Sequence, residues 1–144
     1  MSTARDIVRL ARGYLGTPFH HQGRIPISGL DCVGLVVRVA SDMGIPVQDD
    51  TKYPRVARDN RMLEVMLHNG LTPIPAFLQQ PGDVLVFWFN SAKRWPQHAA
   101  FRTDYGMLHT YTTVGRVVEH GYTPPWQKRL LAVLRFPEVE PWQQ

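Results

Sequence analysis

The feature that most constrains this chain is a change in the period of its apolar residues. Up to about residue 70 they recur at helical spacing, and after the turn signal Pro81-Gly82-Asp83 they come in short β-rich runs. A chain that runs helices first and strands afterwards folds as α+β, with N-terminal helices packed on an antiparallel sheet. The helical part reads in three pieces. Thr3-Ala4-Arg5-Asp6 has the spacing of a capping box, with Asp in place of the usual Glu, and Ile7, Leu10, Ala11 and Tyr14 follow, so a first helix ends near Gly13 or Gly16. Asp31 opens a second, central helix on the stripe Cys32, Leu35, Val36, Val39, Ala40 and Met43, closed by Gly44 and Pro46. A third runs from about Asp59 through Met62, Leu63, Met66 and Leu67 to the Asn69-Gly70 stop. Strands are expected over Val84 to Phe89, His98 to Thr103, Met107 to Thr112, Arg116 to Glu119 and Leu130 to Phe136. Between the first two helices, Thr17 to Leu30 reads as a loop crossing the surface, and loops of that length usually serve function.

With 144 residues, 44% hydrophobic and 19% charged, the chain reads as one globular domain over 1–144, its core about 3–137 and its C-terminal tail short. Disordered and collagenous classes are excluded. A chain this long buries roughly 68–70% of its unfolded surface, so its core needs neither a disulfide nor a structural metal. The single cysteine fits that, since one thiol closes no internal bridge. No apolar run reaches membrane-spanning length, and Met1-Ser2-Thr3-Ala4-Arg5-Asp6 lacks a secretory pattern, so synthesis in a cytoplasm is expected, with any export by another route. The net charge of +4 is spread from Arg5 to Arg135 without a dense cluster. That argues against nucleic-acid binding and suits a polyanionic partner such as a bacterial wall.

Cys32 falls in the first turn of the central helix, where unpaired N–H groups and the helix dipole favour a thiolate and lower the thiol pKa. The competing reading is a small apolar residue on the core stripe. Position alone does not separate the two.

A wider set of segments does. Tyr14-Leu15-Gly16-Thr17-Pro18-Phe19, Gly29-Leu30-Asp31-Cys32-Val33-Gly34-Leu35, Leu78 to Phe87 around Pro81-Gly82-Asp83, Gln97-His98-Ala99-Ala100-Phe101 and Met107-Leu108-His109 follow one another in order from Tyr14 to Phe136. This set resembles the NlpC family of cell-wall cysteine peptidases and implies their papain-like fold. Val114 to His120, Trp126 and Arg135-Phe136-Pro137 carry a narrower resemblance to short members from bacteriophage tail modules.

The resemblance implies Cys32 as nucleophile, His98 as general base and His109 as the group that orients the base. A thiol attacks an amide only when an imidazole takes its proton, and that imidazole then protonates the leaving amine. Tyr14 and Asp31 are implied as substrate-pocket residues, in several members holding a free amine of a peptide stem; Asp31 reads equally as a helix N-cap and Tyr14 as a core aromatic. His20 and His21, in the loop before the nucleophile, are candidates to line the groove, although adjacent loop histidines are more often simply solvated. The chain departs from the family pattern at Val33, where many members carry serine, and at Gln97 and Ala99 around the base. His68 and His120 read as surface residues. No cofactor is implied, and a zinc site on Cys32 lacks close ligand pairs.

The leading expectation is a phage tail-associated cysteine endopeptidase cutting amide bonds of peptidoglycan stem peptides, its partners tail-tip or baseplate proteins and its place of action the cell wall. The alternative is a structural tail-tip protein that keeps the fold, with Trp88, Phe89, Trp95, Trp126 and Trp142 as exposed docking anchors. Acyl transfer to an amine uses the same thiol and imidazole and is a third outcome.

Overall fold

Helices α1 (Ala4–Arg12), α2 (Cys32–Asp42) and α3 (Arg61–His68) precede every strand of the main sheet in the computed structural model, which describes residues 2–143. That sheet comprises β3 (Thr72–Ile74), β4 (Val84–Phe87), β5 (His98–Arg102), β6 (Met107–His109), β7 (Val118–His120) and β8 (Leu130–Arg135). A short helix α4 (Pro124–Gln127) lies between the last two, and a two-residue hairpin, β1 (Arg24–Ile25) with β2 (Gly29–Leu30), lies between α1 and α2. The order β3-β8-β4-β5-β6-β7 is antiparallel throughout. The architecture is therefore α+β, as the periods dictate. None of the helices among the described residues is long and apolar enough to cross a membrane.

Local chemistry accounts for the helix ends. The Thr3 side chain accepts from the Asp6 N–H while the Asp6 carboxylate accepts from the Thr3 N–H, which is the reciprocal box read from the sequence. Asp31 caps α2 through the Gly34 N–H, and Gly44 leaves the helix end at φ +76°, a conformation that suits glycine. The segment 17–30, which reads as a surface loop, is instead anchored: β2 is buried, and Phe19 and Pro18 bridge to Leu30 and Arg116.

β4 is buried along its whole length because both faces of the sheet are covered. Val84 and Val86 join Ala99 and Phe101 in the core beneath Ile7, Leu35 and Val39 of the helices. The alternate residues Leu85 and Phe87 join Ala100, Met107 and Val133 in a second cluster, closed by Tyr122 and Trp126. β5, at the centre of this layer, packs directly on α2. The N-terminal turn of α2 is thereby set against the start of β5.

Candidate active site

Cys32 is the first residue of α2, directly after its cap, and is half-buried. The turn that presents it is unusually tight: a Cβ on Gly34 would stand 1.9 Å from the Gly23 carbonyl oxygen, so only glycine lets the β1–β2 segment approach the helix. Backbone N–H groups of Ala99, from β5, and of Val33 lie beside the sulfur and favour its anion. They are outweighed. Burial, and after it the Asp31 carboxylate, push the Cys32 thiol up to about 12. The lowering expected from the helix dipole is thus overturned, because loss of water round the sulfur exceeds what one helix end returns.

Asp31 is 4% exposed and makes four contacts. Oδ1 accepts from the Gly34 N–H at 2.8 Å and from Arg24 Nη1 at 3.1 Å. Oδ2 accepts from the Gln22 N–H at 2.8 Å and from the Tyr53 hydroxyl. Gln22 stands at φ +59°, the left-handed region that non-glycine residues seldom occupy, and its N–H is aimed at the carboxylate. A carboxylate offers about four lone-pair sites, and all four are taken. The cap reading of Asp31 therefore holds, whereas the amine-holding role meets a carboxylate already filled by the protein's own groups. Burial, followed by the Asp31 charge, holds the Tyr53 hydroxyl above its ordinary range.

Three histidines from successive strands form a row. His98 begins β5 opposite Phe87, and its Nε2 lies 2.7 Å from Nδ1 of His109 on β6. His109 Nε2 lies 2.7 Å from Nε2 of His120 on β7, and His120 Nδ1 donates to the Gly121 carbonyl at 2.9 Å. His120 pairs with Met107, two residues from His109, so the two rings are diagonal neighbours across the strands. His98 and His109 are essentially inaccessible, and His120 is half-buried. Burial, aided by the His109 ring, holds His98 well below its ordinary value, and burial with the His120 ring takes His109 down to about 3. Both are neutral imidazoles at pH 7.

Aromatic rings wall this row. Phe89 stacks on His98 with centroids 5.2 Å apart, Tyr111 stacks on His109 at 5.2 Å, and Trp126 touches all three imidazoles, nearest to His109 at 4.9 Å. Trp126 is half-buried among these rings and is no exposed anchor; Trp88, Trp95 and Trp142 are half-buried too. His120, expected at the surface, belongs to the row instead. The equal steps of eleven residues from His98 to His109 to His120 were the available signal for it.

Cys32 and His98 line one cleft of about 1070 Å³, together with His21, Asp31, Tyr53 and Thr110. The hydroxyl of Thr110 is buried there with no protein partner. Lys52, Arg55, Arg58 and Lys93 stand exposed around the cleft, while Arg61 is held by Asp50 at 2.5 Å. His21 packs edge-on against Tyr53, at 5.7 Å between centroids. The other two pocket candidates lie elsewhere. His20 is exposed and bonds the His21 carbonyl. The Tyr14 hydroxyl bonds Asp42, the last residue of α2, roughly 15 Å along the helix from Cys32 at about 1.5 Å per residue. Tyr14 is a helix-packing residue here, since the α1–α2 contact turns it toward the far end of α2. Tyr53 and Arg24, which no local pattern singled out, take the places at Asp31. Among the described residues no set of three or more His, Cys, Asp or Glu side chains is arranged to hold a metal ion.

Comparison with known proteins agrees with this fold. No curated protein matches the chain. Among solved structures, an NlpC/P60 family protein from Bacillus cereus superposes with a TM-score of 0.70 at 22% identity, covering 92% of this chain and 40% of that one. The NlpC/p60 domain of the peptidoglycan hydrolase SagA gives 0.63 at 22% identity over 93% of this chain and 99% of that domain. The peptidoglycan hydrolase RipB from Mycobacterium tuberculosis gives 0.60 at 18% identity, over 92% and 63%. The chain thus spans less than half of the Bacillus cereus chain it matches. The family model described as NlpC/P60 matches residues 16–135, nearly all of the chain and every part of the cleft, and on that match the chain belongs to the NlpC/P60 family.

Proposed function

We propose that this protein is a cysteine endopeptidase that hydrolyses amide bonds in peptidoglycan stem peptides through Cys32, His98 and His109. The observation that carries the reading is that a cysteine at a helix N-terminus and a buried imidazole line one cleft in an NlpC/P60 chain. Two solved relatives are described as peptidoglycan hydrolases, which supports the substrate class.

In this reading the resting pair is a neutral thiol and a neutral imidazole. Cys32 Sγ attacks the amide carbonyl as its proton passes to His98, and His98 then returns that proton to the leaving amine. Water hydrolyses the resulting thioester with His98 again as base. The backbone N–H groups beside the sulfur, from Val33 and Ala99, are available to meet the developing oxyanion. The exposed cations round the cleft favour anionic substrates, such as stem peptides bearing free carboxylates.

The placement on a phage tail, with action at the cell wall and tail-tip or baseplate proteins as partners, is the finer part of the proposal. It rests on the likeness of Val114 to His120, Trp126 and Arg135 to Pro137 to short tail-module members. The test is turnover: the parent and Cys32→Ala are incubated with peptidoglycan and defined muropeptides, and released amines are measured. New amines from the parent alone support the enzyme. Silence from both, with tight binding to tail proteins, supports a structural tail component instead.

A further inference from the structure

We propose that His120 is a positioning residue of this site, ending a hydrogen-bonded row of three imidazoles that holds His98 with its proton on Nε2 and its lone pair on Nδ1. The inference rests on the reading of Cys32 and His98 as nucleophile and base. At the opposite end of the row the chemistry leaves no choice.

A carbonyl oxygen only accepts, so the 2.9 Å contact between His120 Nδ1 and the Gly121 oxygen requires a proton on Nδ1. In a neutral His120 the other nitrogen, Nε2, is then an acceptor. The 2.7 Å contact to His109 Nε2 is made by a proton on His109, whose Nδ1 becomes an acceptor in turn. The 2.7 Å contact between His109 Nδ1 and His98 Nε2 is therefore made by a proton on His98 Nε2. One backbone carbonyl on β7 thus decides the tautomer of a ring two strands away. Without His120, His109 can present either nitrogen as its donor, and the base loses its assigned face.

The row also gives the proton of the attack somewhere to go. As the Cys32 S–H bond breaks, the proton adds to His98 Nδ1; the Nε2 proton of His98 passes to His109 Nδ1, and that of His109 Nε2 passes to His120 Nε2. One proton enters, each ring keeps its count except the last, and the positive charge rests on His120, the least buried of the three. His98 now carries its proton on Nδ1, ready for the leaving amine, and the shifts reverse when it is donated. Two water-excluded rings are spared a lasting charge.

The test uses the full chain labelled with ¹⁵N at histidine. Long-range ¹H–¹⁵N spectra of the resting protein are expected to show Nε2–H forms for His98 and His109 and an Nδ1–H form for His120. His120→Phe keeps a ring but removes the acceptor, and is expected to lower kcat roughly 10–100-fold, the range lost with an outer orienting partner, with KM changed less than about twofold. His120→Gln, whose Oε1 accepts near the position of Nε2, is expected to keep kcat within about threefold of the parent. An Nδ1–H form of resting His98, or a Phe variant with parental kcat, overturns the proposal. The tautomers are read without turnover, so Nε2–H signals in a protein with no Cys32-dependent activity support the row and sink the peptidase reading instead.

Discussion

Arg24 Nη1 lies 3.1 Å from Asp31 Oδ1, so the carboxylate beside the candidate nucleophile is neutralised from within the protein. The same guanidinium reaches Asp49 at 2.8 Å, which ties the β1–β2 hairpin to the segment after α2. The Tyr53 hydroxyl, the Gln22 N–H and the Gly34 N–H fill the rest of Asp31. A substrate ammonium finds no free lone pair there.

Substrate choice follows from that closure. A stem peptide with a free N-terminal amine and its N-acetylated twin are expected to be cleaved with kcat/KM values within about threefold of each other. A preference for the free amine above about tenfold, or about 1.4 kcal/mol, counts against the assignment. Arg24→Met vacates one position on Oδ1 and should shift the ratio toward the amine. It should also lower stability by about 3–5 kcal/mol, because Asp31 is left buried with its charge unanswered.

Alkylation of Cys32 reads the thiol directly. With burial and Asp31 pushing the thiol up to about 12, the rate with iodoacetamide should be slow at pH 7 and still climbing at pH 10. An unperturbed cysteine levels off by about pH 10, since its pKa is about 8.5. A plateau below pH 8 in the folded protein contradicts a neutral resting thiol.

Acid should unfold the protein earlier than its carboxylates alone would. His98 and His109 have folded values below 6.5, so on acidification the unfolded chain binds their protons first. The stability from keeping them neutral is complete above 6.5 and is lost as pH falls from there toward the folded values, about 3 for His109. Each ring contributes a slope of up to about 1.4 kcal/mol per pH unit. Urea midpoints measured between pH 7 and 5 should fall steeply, and His109→Gln should have a shallower slope. A flat profile over that interval means that these rings are charged or open to water in the folded state.

Gly34→Ala tests how the candidate nucleophile is presented. The added methyl would meet the Gly23 oxygen at 1.9 Å, and both groups belong to backbone that Asp31 also holds. A loss of at least about 2 kcal/mol is expected from this overpacking, together with loss of Cys32-dependent turnover. Gly16→Ala, where nothing lies within 4 Å but φ is +85°, serves as the comparison: strain without collision. Its turnover should persist. Equal activity in both variants would show that the tight approach of β1–β2 does not hold Cys32 in place.

Much of the architecture was written in local pattern. The Thr3 box, the Asp31 cap, the apolar stripe of α2 and the runs that became β4, β5 and β8 are legible because a few neighbouring residues specify each of them. Cys32, His98 and His109 were reachable as candidates through ordered segments, and the two steps of eleven that lead on to His120 were present as a bare spacing. What the chain's order does not contain is which strand lies next to which, and which way a side chain turns once helices pack. The order β5-β6-β7 made a row of His98, His109 and His120, and the α1–α2 contact sent Tyr14 to Asp42 while Tyr53 took Asp31. The thiol shows the same division. That Cys32 opens a helix is a local property, legible in residue order; desolvation depends on everything that closes over the sulfur, and only the packed structure decided that it dominates.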